Sequence, residues 1–170
     1  LTQIWTSPYI EYNYGDVAWA DWDGDGDQDL AVGNWGSPIR IYENDGGTLT
    51  SAWTAPLSDE TMQIAWGDHD GDGDPDLAVA NWDDHPIRVY ENTGGNLALA
   101  WSSPEIDFTA SVSWGDWDGD GDLDLAAGNY NNNWVYDNDN GNFTLAWSST
   151  HADDTFDVKW VDWDGDGDPD

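Results

Sequence analysis

Positive charge is almost missing from this chain of 170 residues. It holds 3 Lys plus Arg against 36 Asp plus Glu, a formal net charge of −33 at pH 7. The sequence argues against a nucleic-acid partner, because such a field repels phosphate. A composition this acidic is typical of disordered chains. However, 14 Trp, 7 Tyr and 3 Phe supply enough apolar surface for a packed core.

Cysteine and long hydrophobic runs are also absent. Without cysteine, neither a disulfide scaffold nor a thiolate metal site is available. No run of 18 apolar residues exists, so the sequence predicts no membrane-spanning helix. No stretch carries a helical apolar stripe of useful length, and Gly and Pro recur too often to leave room for one. These absences favour a chain built of short strands and turns.

The chain repeats itself with a period of about 47 residues. A nine-residue acidic loop recurs at offsets of 47, 48 and 46 residues, beginning at Asp21, Asp68, Asp116 and Asp162. A Trp stands two residues before each loop, and another recurs further upstream. The two sets are Trp19, Trp66, Trp114 and Trp160, and Trp5, Trp53, Trp101 and Trp147.

Each repeat unit offers four short strand candidates separated by turn residues. In the first unit we place them near residues 16–20, 29–34, 39–43 and 49–53. Four strands in a unit of this length are typical of a β-propeller blade. The sequence therefore predicts an all-β fold, a β-propeller with four-stranded blades, of which this chain holds about 3.5.

We predict one repeat domain over residues 1–170. It begins with an outer strand in 1–15, continues with blade units at about 16–62, 63–110 and 111–156, and ends with a partial unit in 157–170. Propellers usually have four to eight blades, so three complete units do not close a ring. We expect either a longer repeat array or a homo-oligomer, with a cyclic dimer favoured because exposed strand edges invite pairing.

The repeated loop has the ligand pattern of a calcium site. In the first copy, DWDGDGDQD, Asp stands at positions 1, 3, 5, 7 and 9, and Gly at positions 4 and 6. Ca²⁺ takes six to eight oxygen ligands, and by analogy with an EF-hand loop position 7 supplies its backbone carbonyl and the other positions supply side chains. The predicted ligands are Asp21, Asp23, Asp25, Asp27, Asp29, Asp68, Asp70, Asp72, Asp74, Asp76, Asp116, Asp118, Asp120, Asp122, Asp124, Asp162, Asp164, Asp166, Asp168 and Asp170.

Other metals and loop types fit this pattern less well. An EF-hand needs flanking helices and a Glu at position 12, where Val32, Val79 and Ala127 stand. Mg²⁺ prefers rigid octahedral sites that keep several waters, and zinc prefers Cys and His ligands. Asp-Gly runs also form plain acidic turns. Four copies in register hold 20 of the 36 acidic residues, and carboxylates packed so densely repel one another without a cation.

The string D-x-D-G-D-G-x-x-D-L, followed by a small-apolar run and Asn, resembles the VCBS and FG-GAP repeat families. The same loop type occurs in the calcium-binding blades of integrin α-subunit propellers and in some fungal propeller lectins. The resemblance covers essentially the whole chain. It implies a secreted or cell-surface propeller with calcium on the hairpin between the first two strands of a blade. The fourth loop has no following strand here, so its metal is expected to depend on a neighbouring chain or on further sequence.

Several residues outside the ligand set are candidates for binding or packing. A non-ligating side chain at position 2 of the loop is expected to point outward and to stack on a sugar or peptide, or alternatively to fold over the loop and shield it. These candidates are Trp22, His69, Trp117 and Trp163. We expect both repeated Trp sets to pack in the core or between blades, and Trp35, Trp82 and Tyr130 to lie on a propeller face. Arg40 and Arg88 are expected to pair with carboxylates.

The sequence shows no arrangement of residues for catalysis. The three His occupy unrelated places in the repeat, so no Ser-His-Asp site is indicated. The loops already account for most carboxylates that glycoside hydrolysis would use. We therefore expect a non-catalytic calcium-binding module for extracellular adhesion or for binding a glycan or protein ligand. The alternatives are an accessory propeller domain of a larger secreted enzyme and a purely structural repeat array.

Overall fold

A computed structural model describes residues 5–9, 15–152, 154–165 and 169. Within these residues the chain forms twelve strands, and no helix long and apolar enough to cross a membrane occurs. The strands are β1 (Val17–Ala20), β2 (Asp29–Val32), β3 (Arg40–Asp45), β4 (Thr48–Thr54), β5 (Thr61–Gly67), β6 (Asp76–Asn81), β7 (Arg88–Asn92), β8 (Leu97–Ser102), β9 (Thr109–Gly115), β10 (Asp124–Asn129), β11 (Trp134–Asp139) and β12 (Asn142–Ser148).

The strands form three antiparallel sheets, each of four strands in consecutive order. We call them blade 1 (β1–β4), blade 2 (β5–β8) and blade 3 (β9–β12). The prediction of an all-β propeller with four-stranded blades is confirmed. The four strands predicted for the first unit correspond to β1–β4, with ends displaced by one or two residues.

The blades pack face to face, and the second strand of each blade is the most buried. In β6 the two-residue period of a strand sends alternate side chains to opposite faces. Leu77 and Val79 join the core shared with blade 1, whereas Ala78 and Ala80 join the core shared with blade 3. Every residue of β6 is buried as a result.

Repeated hydrogen bonds join the first strands of neighbouring blades. The Trp114 indole Nε1 donates to the Ala65 carbonyl at 3.1 Å. Nearby, the Val112 amide donates to Gln63 Oε1 at 2.7 Å, and the Ile64 amide donates to Asp16 Oδ2 at 3.3 Å. The expected packing is confirmed for Trp66 and Trp114, which lie against the cores between blades, whereas Trp19 is 52% exposed.

The second repeated Trp set also packs across junctions. Trp53 lies edge-on to Tyr90 of the next blade with ring centroids 5.6 Å apart, and its Nε1 donates to the Leu97 carbonyl at 3.1 Å. Trp5 and Trp101 make the same edge-on ring contact with Tyr42 and Tyr136. The expected packing role is confirmed at these three positions, whereas Trp147 is 48% exposed.

The segment after blade 3 differs from its prediction. The repeat predicts that the partial unit in 157–170 starts with an inner strand near residues 157–161, but these residues join none of the three sheets. The segment instead lies against blade 3, where the Trp160 Nε1 donates to the Ser113 carbonyl at 3.0 Å and the Val158 amide donates to Ser111 Oγ at 3.1 Å. Among the described residues, no strand lies beside this segment to complete a sheet. Of the predicted outer strand in 1–15, only residues 5–9 and 15 lie within the described part of the chain, and none of these belongs to a strand.

Candidate metal sites

Each acidic loop is folded by its own carboxylates. In the first loop the Asp25 amide donates to Asp23 Oδ1 at 3.2 Å, and the Asp27 amide donates to Asp25 Oδ1 at 2.9 Å. Gly24 and Gly26 have φ of 76° and 98°, in the left-handed region that favours glycine. The loop therefore turns tightly enough to bring alternate carboxylates to one side.

Positions 1 and 9 close this loop on itself and join it to the third strand of its blade. Asp21 Oδ2 accepts from the Gly26 amide at 3.0 Å. Asp29 is fully buried, and its two oxygens accept from the Trp22 amide at 2.9 Å and the Asn44 amide at 2.8 Å. The carboxylates at the two ends of the loop are thus held close together without any basic side chain.

The second and third loops repeat this geometry. At position 1, the carboxylates of Asp68 and Asp116 accept from the amide at position 6 at 3.1 and 3.2 Å. At position 9, Asp76 and Asp124 are fully buried and accept from the amide at position 2 at 2.9 and 2.7 Å. Three loops of one design indicate one function for all of them.

The position-7 carboxylates are turned away from the loop centre. Asp27 Oδ2 accepts from the Gly46 amide at 3.1 Å, and Asp74 Oδ2 accepts from the Gly94 amide at 2.7 Å. These bonds join each loop to the turn between the third and fourth strands of its blade. These bonds occupy the carboxylate, and the main-chain carbonyl stays the predicted ligand at position 7.

Two buried carboxylate oxygens in these loops lack a hydrogen-bond donor. They are Oδ1 of Asp21 and Oδ1 of Asp68. A buried charged oxygen without a partner is costly, and a bound cation removes this cost. In the third loop, Asp116 Oδ1 instead accepts from the Gly119 amide at 2.9 Å.

Three carboxylates in each of the first three loops lie close enough together to hold a metal ion, with ligand atoms within 4.8 Å of one another. A further group adds a nitrogen, because His69 lies with Asp70 and Asp76. The His69 Nδ1 is already 2.6 Å from Asp76 Oδ2. The carboxylate groups are Asp21, Asp23 and Asp29; Asp68, Asp70 and Asp72; and Asp116, Asp118 and Asp124. Since these donors are all oxygen, they suit calcium better than zinc.

The electrostatics of the loops favour a bound cation. Burial raises the pKa of Asp23, Asp70 and Asp124; backbone amide donors offset part of this, and neighbouring carboxylates raise it further. Burial, followed by the charges of Asp118 and Asp120, also raises the pKa of Asp137. A raised carboxyl pKa means that the folded chain holds these negative charges at a cost.

The fourth loop is described only at its start. Asp162 Oδ1 accepts from the Gly165 amide at 2.6 Å, as Asp116 does from Gly119. Asp164 also lies within the described residues, whereas Asp166, Asp168 and Asp170 lie outside them. Calcium binding by this loop stays a prediction.

The expectation that position 2 points outward is wrong for the first two loops. Trp22 is 5% exposed and belongs to the core between blades 1 and 2, and His69 is 3% exposed. The His69 ring stacks on Phe143 of blade 3, with centroids 5.6 Å apart and planes 14° apart. The following blade covers these side chains, so they cannot stack on a ligand. Trp117 and Trp163 are 38% and 83% exposed, and their ligand role stays a prediction.

The end of the sheets opposite the loops carries a row of aromatic rings. Trp82 lies between Trp35 and Tyr130, with ring centroids 6.2 and 4.6 Å away. Phe108 also packs on Trp82, at 5.1 Å. These half-buried rings contact one another across blades, so they join the blades at this end.

The two repeated arginines have different partners. Arg88 Nε lies 2.6 Å from Asp59 Oδ2, in the connection between blades 1 and 2, which confirms the expected carboxylate pairing. The Arg40 guanidinium lies 4.0 Å over the Tyr9 ring, a cation–π contact. The carboxylate pairing expected of Arg40 stays a prediction.

Sequence reasoning missed three asparagines that contact the acidic loops. Asn44, Asn92 and Asn138 end the third-strand motifs YEN, YEN and YDN, and the amide of each donates to the position-9 Asp of its own blade. The Asn recurs at one repeat position, a signal that was available in the sequence. Its proximity to the loop depends on strand pairing.

Comparison with known proteins gives one family and one fold. The FG-GAP-like repeat family model matches three overlapping segments, residues 21–79, 68–127 and 116–170. No match was found among curated proteins. The chain is similar to a solved structure described as the crystal structure of BBS1N in complex with ARL6DN, soaked with lead, at 15% identity and a TM-score of 0.65. The likeness covers 89% of this chain and 49% of that one, so this chain spans about half its length. At this identity it shows the fold alone, a β-propeller.

Proposed function

Because the chain belongs to the FG-GAP-like repeat family, we propose that it is a calcium-binding, non-catalytic propeller module of a secreted or cell-surface protein. The observation that carries the proposal is the buried, unpartnered Oδ1 of Asp21 and of Asp68. Each belongs to a group of three carboxylates close enough to share one ion. An oxygen-only ligand set on a flexible loop suits Ca²⁺.

The ion has a structural role in this proposal. Positions 1 and 9 lie at the two ends of the hairpin between the first and second strands, so one ion closes that hairpin. A ligand that binds only the folded state stabilises it by about 2.7 kcal/mol per site at a hundredfold excess over Kd. Three or four such sites have a large effect on a chain of this size.

Calcium removal tests the structural role. We expect excess EDTA to lower the melting temperature sharply, and excess calcium to restore it. An equal concentration of magnesium is expected to restore much less, because Mg²⁺ requires near-octahedral geometry. Differential scanning calorimetry measures all three conditions. Unchanged melting in EDTA would contradict a structural metal.

Matched charge variants separate the sites from the general negative field. We expect Asp21→Asn with Asp68→Asn to remove two of the calcium ions counted by isothermal titration calorimetry. The control pair, Asp45→Asn with Asp84→Asn, changes the net charge equally at exposed residues outside the loops. Equal loss of calcium in both pairs would show that the overall negative charge attracts the ions and that the loops do not bind them specifically.

The partner is proposed to be a glycan or a protein, and exposed aromatic side chains support this. Trp117 and Trp163 remain exposed at the loop end of the molecule, at 38% and 83%. We expect hits of the calcium-loaded protein on a glycan or protein array to be lost on Trp117→Ala with Trp163→Ala. They should survive Trp19→Ala, which changes a 52% exposed ring on β1. An array with no hits would favour a structural repeat array or an accessory domain of an enzyme.

Assembly into a ring or a longer array is the second part of the proposal. Val17 and Trp19 of β1 are 57% and 52% exposed, and Leu145 and Trp147 of β12 are 41% and 48% exposed. Residues equivalent to Trp147 pack on the next blade, so these surfaces suit further blades from a second copy or from additional repeats. Light scattering in calcium is expected to give the mass of a dimer. A monomer at all concentrations would rule out the dimer.

A further inference from the structure

Asn92, at the end of β7, contacts two metal loops at once. It is fully buried. Its amide donates to Asp76 Oδ1 at 2.7 Å, which is the position-9 carboxylate of its own blade. Its side-chain Nδ2 donates to the Trp22 carbonyl at 2.8 Å, in the loop of blade 1. One residue therefore links the metal site of blade 2 to the loop of the preceding blade.

Asn138 repeats this arrangement at the next junction. It is also fully buried. Its amide donates to Asp124 Oδ1 at 2.8 Å, and its Nδ2 donates to the His69 carbonyl at 2.7 Å. The contact is thus a property of the repeat, because two junctions make it with different side chains at position 2.

The contact with the preceding loop falls between two of its predicted ligands. The Trp22 carbonyl lies between Asp21 at position 1 and Asp23 at position 3. The turn that follows Asn92 lies close to the same place, because a Cβ added to Gly95 would stand 3.1 Å from Asp23 Cβ. That turn is itself held by Asn92, whose Oδ1 accepts from the Gly95 amide at 3.0 Å. A displacement of Asn92 therefore displaces Trp22 and Asp23, at the start of the first loop.

We propose that Asn92 and Asn138 are positioning residues that couple neighbouring metal sites, so that calcium at one site raises the calcium affinity of the preceding one. This inference rests on the proposed calcium function. An ion at the second site fixes Asp76 and, through it, the backbone of Asn92. The side-chain Nδ2 of Asn92 then holds the Trp22 carbonyl in place, so less ordering of the first loop remains when its ion binds. By linkage, the first site favours the second by the same factor.

The chain contains a matched control at Asn44. Its amide donates to Asp29 Oδ1 at 2.8 Å, and its Oδ1 accepts from the Gly47 amide at 2.9 Å, as in the other blades. Its Nδ2, however, donates to the Gln28 carbonyl of its own loop at 3.0 Å. Asn44→Ala therefore removes bonds within a blade, whereas Asn92→Ala also removes the bond between blades.

Calcium titration followed by amide NMR tests the coupling site by site. The amides of Gly26, Gly73 and Gly121 donate to the position-1 carboxylates of the three loops, so each resonance reports one site. Asp72→Asn weakens the second site without touching the first. We expect it to lower the calcium affinity read at Gly26 by about fivefold or more, the usual lower range of coupling between sites.

The positioning variants complete the experiment. In the Asn92→Ala background, Asp72→Asn should no longer change the affinity read at Gly26, whereas in the Asn44→Ala background it should change it as before. If Asn92→Ala does not fold, Asn92→Asp keeps the acceptor for Gly95 and lacks the donor to the Trp22 carbonyl.

Two results overturn the inference and one overturns its premise. The first result is coupling that persists in the Asn92 variant. The second is a calcium affinity at Gly26 that Asp72→Asn leaves unchanged in the wild-type background. Either result shows that the asparagines only hold the blades together. Absence of calcium shifts at all three glycines contradicts the calcium function itself.

Discussion

The two junctions between blades use the same repeat positions, but the indole N–H of the Trp before the loop finds an acceptor at only one of them. Between blades 2 and 3, Trp114 lies over Gly67, where an added Cβ would stand 2.6 Å from the ring, and its Nε1 reaches the Ala65 carbonyl at 3.1 Å. Between blades 1 and 2, Ala20 occupies the place of Gly67, and the Nε1 of Trp66 is buried without a hydrogen-bond partner. One methyl group at the facing position decides whether the indole reaches its acceptor.

At position 2 of the loop, each junction pairs a side chain with a residue of complementary size in the next blade. Trp22 shares its core with Leu97 of blade 2, whereas the smaller His69 stacks on the larger Phe143, which occupies the position of Leu97 in blade 3. His69 also bonds to Asp76 through its backbone amide and its ring. A repeat protein thus keeps its junctions filled by paired exchanges of volume, because interiors tolerate neither voids nor overlap.

Gly67→Ala should have the largest effect on this comparison. The new methyl group would force Trp114 out of its place, and we expect a loss of about 1–3 kcal/mol of unfolding free energy, typical of an overpacked core. Urea unfolding in calcium measures it. In a Trp114→Ala background the same substitution should cost much less. A cost that does not change with Trp114→Ala would show that the clash is not its cause.

Ala20→Gly should move the first junction toward the second. Removing the methyl group lets the Trp66 indole approach, so that its Nε1 can donate to the Ala18 carbonyl, the counterpart of Ala65. The gain from satisfying a buried donor is about 1–3 kcal/mol, and glycine in a strand costs roughly 0.5–1 kcal/mol. The net gain is therefore about 1 kcal/mol. Slower hydrogen exchange of the Trp66 indole is the specific readout, and an unchanged exchange rate would refute the mechanism.

A pH effect confined to the second junction is the smallest one expected. Burial lowers the pKa of His69, but its hydrogen bond to Asp76 and the nearby carboxylates raise the pKa by more, and the net direction is upward. Since the folded pKa exceeds the unfolded one, the stabilisation is fully present below about pH 6.5. It is lost as pH rises through the folded value.

This loss should appear in calcium-free protein, where no ion competes for Asp76. Urea unfolding in excess EDTA should show that the free energy of unfolding declines as pH rises through neutral in wild type and not in His69→Gln. NMR titration of the ring should give a pKa above that of the unfolded chain. A decline of equal size in both proteins would assign it to other groups.

Most of the blade could be predicted from the sequence because it depends on local pattern. The strands follow from short alternating segments between turn residues, and the pairing within a blade follows from short connections. The loop geometry is also local, since Asp25 and Asp27 donate to the carboxylates two residues before them. Repetition strengthened each inference by presenting the same pattern in several copies.

Contacts between blades could not be predicted in the same way. Position 2 was expected to point outward, yet Trp22 and His69 are buried and Trp117 is 38% exposed. The residue type is the same at Trp22 and Trp117, so only the presence of a covering blade distinguishes them. The link from Asn92 to Trp22 joins residues 70 positions apart, beyond the reach of any local pattern.

The sequence by itself determined the repeat, the strand order within a blade and the clusters of carboxylates that lie close enough to hold a metal ion, because each depends on neighbours along the chain. Only the tertiary structure decided which position-2 side chains are buried, which indoles reach their acceptors and which asparagines link two loops. These outcomes depend on how closely one blade approaches the next. That approach is set by side-chain volumes at facing positions, such as Ala20 and Gly67, that are distant in sequence from the side chains they contact.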